Sequence, residues 1–226
     1  MDQSLLPLIA FTASSAMTPG PNNIMLMTSG VNFGFRRTIP HMLGVMFGFP
    51  VMVLVIGLGI GTTLLTQPLV HQVVTVAGIL YLLWLAWHIA TADVTSNEAR
   101  LIAAEHEAGA PQPTSAQTAS KPMSFIGAAA FQWINAKAWI SIIGMLAIYA
   151  PKGYGVVGGV LLVAAINLLT AAASAISWAL FGLAVARWLE NPMRRRIFNI
   201  SMALLLVVTL VPAIRDLVQV WYTYVI

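Results

Sequence analysis

The chain has 226 residues, 59% of them hydrophobic and 8% charged, with a mean hydropathy of +0.85. A soluble domain carries about 25% charged residues, so a water-soluble globule is excluded. At roughly 20 residues per span, the length fits a bundle of about six membrane helices and little else. The net charge of +4 reads as a topology signal rather than a nucleic-acid footprint, because the basic residues are few and gather at segment ends. The absence of cysteine excludes disulfides, thiol chemistry and thiolate metal sites.

The expected fold is all-α: a polytopic membrane protein forming one domain over residues 1–226. Six spans are predicted, at about 4–28, 39–64, 68–91, 123–149, 154–186 and 197–220. The first does not read as a cleavable signal peptide. Its early charge is Asp2 rather than a basic cluster, and its apolar run continues past a proline turn. That turn is Thr18-Pro19-Gly20-Pro21-Asn22-Asn23. Each proline removes a backbone donor and pushes the residue before it toward an extended conformation. Backbone freed within a membrane must find partners in protein or along a watery cavity. A break at this depth therefore marks a candidate solute site, with residues 18–23 as its first half.

Between the third and fourth spans lies a polar segment, residues 92–122, that contains Glu98, Glu105, Glu107 and Pro111-Gln112-Pro113. Its first part could form a short helix, and its second part reads as a linker. It divides the chain into a first half, 1–91, and a second half, 123–226. Arg36, Arg37, Arg100, Lys121, Arg187, Arg194, Arg195 and Arg196 fall in loops on one side, and Lys152 alone falls on the other. The positive-inside rule then places the polar loop in the cytoplasm and both termini outside it.

The fourth span begins as the first does. Phe11 through small residues to Thr18–Asn23 aligns with Phe125 through small residues to Gln132-Trp133-Ile134-Asn135-Ala136-Lys137. Three spans per half give the halves opposite orientations, so the expected arrangement is two inverted three-helix repeats with a site at the midplane. Lys137 lies midway along the fourth span. A cation there costs about 2.5 to 3.5 kcal/mol on insertion scales and usually faces a cavity or a partner. The plainer alternative is a side chain that snorkels to the interface. No acidic residue lies deep in any predicted span, which favours an anionic or zwitterionic solute and argues against a cation channel.

Other polar residues carry two readings each. Asn22 and Asn23 either satisfy freed backbone or bind solute. Asn167 stands in a polar stripe with Thr170, Ser174 and Ser177; it either bonds between helices or lines a pathway. Gly44 with Gly48, and Gly57 with Gly61, read as close-packing pairs. Met25, Met27, Met42 and Met46 read as core filler rather than a copper path. Trp84, Trp87, Trp221, Tyr222 and Tyr224 read as interfacial anchors. No zinc-protease helix, serine elbow or phosphate-binding loop is present. The candidate substrate-binding set is Thr18, Pro19, Gly20, Pro21, Asn22, Asn23, Gln132, Asn135, Lys137 and Asn167.

Met17-Thr18-Pro19-Gly20-Pro21-Asn22-Asn23, followed by Gly34-Phe35-Arg36-Arg37 and Gly44, resembles the LysE/RhtB family of bacterial amino-acid exporters. Phe131-Gln132-Trp133-Ile134-Asn135-Ala136-Lys137-Ala138-Trp139 is similar to that family's Asn-Pro-Lys-Ala-Trp signature, with Ala136 where the family usually has proline. Of its branches, the chain most resembles the cysteine/O-acetylserine exporters, whose members also lack that proline. Whether the fourth helix breaks without it stays open in the sequence. The resemblance implies a transporter and not an enzyme: one that exports amino acids or close derivatives across the bacterial inner membrane on an ion gradient. The expected partners are an amino-acid substrate, a coupling proton, the lipid bilayer and a second copy in a homodimer. No nucleic acid and no cofactor is expected. The alternatives are a metal-cation exporter and a membrane assembly subunit with no transport cycle.

Overall fold

The computed structural model describes residues 5–59, 68–92, 121–149, 152–189 and 191–225. The end expected for the second span, almost all of the polar central segment and the side chains of Trp221, Tyr222 and Tyr224 lie outside the described residues.

The described residues are helical, with no strand among them. Helix α1 spans Leu5–Met17 and stops where Pro19 forces Thr18 out of the helix. Gly20 is fully extended, and Pro21 opens α2, Pro21–Gly57. Proline suits this place because the missing amide has no partner in a first turn anyway. Within α2, Gly34 adopts φ 74 and ψ 170, a conformation that side chains disfavour. It splits α2 into two arms, 21–33 and 35–57. The loop expected around Arg36 and Arg37 is thus a one-residue turn, with both arginines exposed beside it.

Helix α3 is Pro68–Ala90, close to the predicted third span. The fourth span is broken. Helix α4, Phe125–Phe131, gives way to a 3₁₀ turn, Gln132–Ile134, and an extended Asn135. Helix α5, Ala136–Gly144, then leaves at a 68° bend and passes into a π turn over Met145–Tyr149. Helix α6 is Gly155–Ala186. Helix α7, Pro192–Val208, starts earlier than predicted, because the Asn191 side chain accepts from the Met193 amide at 2.8 Å. A turn at Thr209–Leu210 separates it from α8, Val211–Val225.

The first arm of α2 is the centre of the bundle, buried at nearly every residue from Asn23 to Val31. It lies so close to α6 that side chains are excluded from both faces. A Cβ on Gly30 would meet the Ala179 carbonyl, and one on Gly182 would meet the Met27 carbonyl. Small residues let membrane helices approach in this way. Gly44 and Gly48 of the second arm do the same against α4. Met25, Met27 and Met42 fill the core, and Met46 packs against it. The outer surface is apolar: Leu6, Ile126, Leu169 and Trp188 are all more than 70% exposed. Pro21–Gly57, Gly155–Ala186 and Pro192–Gln219 are long and apolar enough to cross a membrane, and the bent pair of the fourth span is a further candidate. Asn32 donates to Asn199 at 3.1 Å. This bond holds the Gly34 turn and the start of α7 at one end of the bundle, so Arg36 and Arg37 share that end with Arg194–Arg196.

Candidate functional site

The two helix breaks meet each other inside the bundle. A broken helix leaves its last carbonyls without internal partners, and here those of α1 are claimed from three directions. Asn23, one turn into α2, donates through Nδ2 to the Ala16 carbonyl at 2.7 Å and the Thr18 carbonyl at 2.8 Å. Ser174 of α6 donates to Ala16 at 2.6 Å. Lys137 of α5 donates through Nζ to Thr18 at 2.8 Å. The ammonium thus sits at the negative end of the α1 dipole. Among the described residues, the Lys137 ammonium meets no carboxylate; its partner is the carbonyl of the other break.

The second break is built differently. The Asn135 side chain accepts from the Lys137 amide at 3.2 Å, capping α5. Trp139 Nε1 donates to the Trp133 carbonyl at 2.8 Å, and Gln132 Nε2 donates to the Ala128 carbonyl at 2.8 Å. Gln132 also exchanges a reciprocal amide pair with Asn22, at 2.8 and 3.2 Å. Ser15 and Ser141 share a hydroxyl bond at 2.8 Å. Three separate links therefore tie one break to the other: Asn22–Gln132, Lys137–Thr18 and Ser15–Ser141.

Two cavities flank these links. The smaller, about 50 Å³, is lined by Gly20, Asn22, Asn23, Asn135, Lys137 and Asn167 of the expected set, with Thr12, Ser15, Ser141 and Ser174 among its other walls. It has room for only a few water molecules and is well below the roughly 300–1,000 Å³ of a ligand pocket. The larger, about 390 Å³, lies against Pro19, Gly20, Pro21, Asn135 and Lys137 from the opposite side. Gly20 and Lys137 form part of the wall between them. Gly20 is bare because a Cβ there would come within 2.9 Å of Lys137 Cδ and 3.0 Å of Nζ.

The expected residues separate by position. Thr18 contributes its carbonyl, and its hydroxyl returns to Ser14 at 2.6 Å. Gln132 is fully buried and lines neither cavity; it meets the site through Asn22. Asn167 faces the small cavity and also donates to Met145 Sδ at 3.3 Å. In the polar stripe, Ser174 turns inward, Thr170 bonds its own helix through the Ile166 and Asn167 carbonyls, and Ser177 is exposed. Thr12 and Ser15 lie outside the expected set. Their spacing of three along α1, one helical turn before the break, is the signal that could have found them. The seven acidic residues of the chain stand at positions 2, 93, 98, 105, 107, 190 and 216, so the segments that build the site, 12–23, 132–145 and 167–175, hold no carboxylate. The site offers one cation and the positive ends of α2 and α5, an arrangement suited to an anionic group.

A membrane bundle with two interrupted helices meeting at a polar, cationic centre belongs to the class of translocators. The family is specific: the model of the LysE type translocator family matches residues 13–214, which include both breaks, and the chain belongs to that family. Proteins named cysteine/O-acetylserine efflux protein from Escherichia coli (strain K12), Shigella flexneri and Shigella sonnei are each similar to it. Each is 29% identical over 198 residues, covering 87% of this chain and 90% of the relative. No solved structure matches the chain.

Proposed function

We propose that this protein is a secondary active exporter of amino acids or close derivatives in the bacterial inner membrane, working by alternating access. In this reading it is a single transporter domain of six spans, arranged as two inverted three-helix halves. Both termini face the periplasm, residues 92–122 face the cytoplasm, and a proton is the coupling ion. The observation that carries it is the meeting of the two breaks across Lys137 and Thr18, 2.8 Å apart. Interrupted helices at matching positions are the recurring device by which transporters bind solute at the midplane. The substrate carboxylate takes the Lys137 ammonium and the first-turn amides of α2 or α5, and the substrate ammonium takes carbonyls freed from the same links.

Each link across the breaks is a hydrogen bond that solute groups can replace. The small cavity corresponds to the closed site, and breaking Lys137–Thr18 opens it. The efflux proteins similar to this chain carry cysteine and O-acetylserine in their names, so both belong in the substrate panel. The test is uptake of labelled amino acids into energised inverted vesicles. Uptake that needs the gradient and stops on its collapse supports the reading; no uptake of any of them removes it. Cross-linking in native membranes tests the expected homodimer.

A further inference from the structure

The larger cavity points to the substrate's side chain. Building on the exporter reading, we infer that the preferred substrate is an amino acid with a branched or aromatic apolar side chain, which occupies this cavity while its carboxylate meets Lys137. The cavity, about 390 Å³, falls within the usual range for a bound small molecule. Its walls include Ile79 and Leu82 of α3, Ile134 of the second break, and Leu210 and Leu217 at the last span. The charge is at one edge only, where Lys137 and Asn135 also border the small cavity. Gln72, Thr75 and Thr209 are polar residues spaced along the rest of the wall.

That layout matches an amphipathic solute with one charged end. A small polar side chain would leave most of the apolar wall uncovered. The wall also adjoins the second break. A Cβ on Gly78 would meet the Ile134 carbonyl, so α3 packs directly against the second break. Each methylene buried there tightens binding by about fourfold. Leucine should therefore exceed alanine by on the order of fiftyfold.

The experiment uses the purified full chain in proteoliposomes. Leucine, phenylalanine, alanine and O-acetylserine compete for transport by wild type, Ala213→Trp and Leu217→Trp. Both positions line the cavity, one turn apart on α8, and two variants guard against a folding failure in either. The expected result is a strong preference of wild type for leucine and phenylalanine, with the leucine-to-alanine ratio falling at least tenfold in either variant. A flat ranking in a wild type that does transport amino acids overturns this inference and leaves the exporter reading standing. A leucine preference untouched by both tryptophans overturns it too. So does a tryptophan effect confined to stabilisation by added phospholipid, which would assign the cavity to an acyl chain. Transport of no amino acid at all removes the exporter reading and this inference with it.

Discussion

The first break contains two prolines in three residues, and the second contains none. Pro19 and Pro21 remove two amides and, with the extended Gly20 between them, separate α1 from α2. At residues 132–135 every amide is present, and the chain still bends by 68°. There the interruption is assembled from side chains: Asn135 caps α5, Gln132 and Trp139 take up carbonyls, and α3 presses on Ile134. One break is enforced by covalent chemistry and the other by packing. At Ala136, with no proline ring present, packing and side-chain bonds accompany the interruption.

The largest expected effect probes what the breaks share. Lys137→Met keeps apolar length and removes the charge. A hydrogen bond to a charged group contributes about 1.5–3 kcal/mol, so binding should weaken by roughly ten- to a hundredfold and export should fail while membrane levels hold. Arginine should restore little, since its planar fork cannot occupy the place of an ammonium against Gly20. Gly20→Ala should act in the same direction more gently, displacing Nζ from Thr18 without removing the charge. Wild-type binding and export by Lys137→Met would reduce its bond to Thr18 to a helix-end contact.

The link between the breaks gives the next effect. Asn22→Ala leaves the buried Gln132 side-chain oxygen without its donor while Nε2 keeps the Ala128 carbonyl, and Gln132→Ala leaves the half-buried Asn22 amide without its partner; each should cost about 1–3 kcal/mol. The double variant should cost less than the sum of the two, read as thermal unfolding in detergent. Strict additivity would mean that the reciprocal pair at 2.8 and 3.2 Å does not couple them.

The smallest effects separate the two kinds of break. Asn135→Ala removes the cap of the packed break and should cost about 1 kcal/mol, with Asp or Ser recovering most of it. Pro19→Ala with Pro21→Ala should cost less than that, because Asn23, Ser174 and Lys137 still hold the α1 carbonyls. Export by the proline double variant should stay within about tenfold of wild type, the loss of one hydrogen bond's worth of order. Complete loss of export there would show that side-chain links cannot replace proline at the first break.

The sequence alone settled what depends on local backbone chemistry and on the solvent. Composition made the chain a membrane bundle. The closely spaced pair of prolines around Gly20 marked the first break, because two missing amides and a flexible glycine coincide there. The depth of Lys137 marked it, because a cation in hydrocarbon needs a partner. Gly34 was also locally legible, though the sequence reading placed a loop there; a glycine beside two arginines can turn a chain in one residue. Only the tertiary structure decided the partners. Asn22 and Gln132 are 110 positions apart and Lys137 and Thr18 are 119, and no local rule relates their orientations. The second break has the same cause: its side chains bend the helix only where α2, α3 and α6 supply surfaces to bend against. Ser15 and Ser141 escaped notice for that reason, since a serine in an apolar helix acquires meaning only from what faces it.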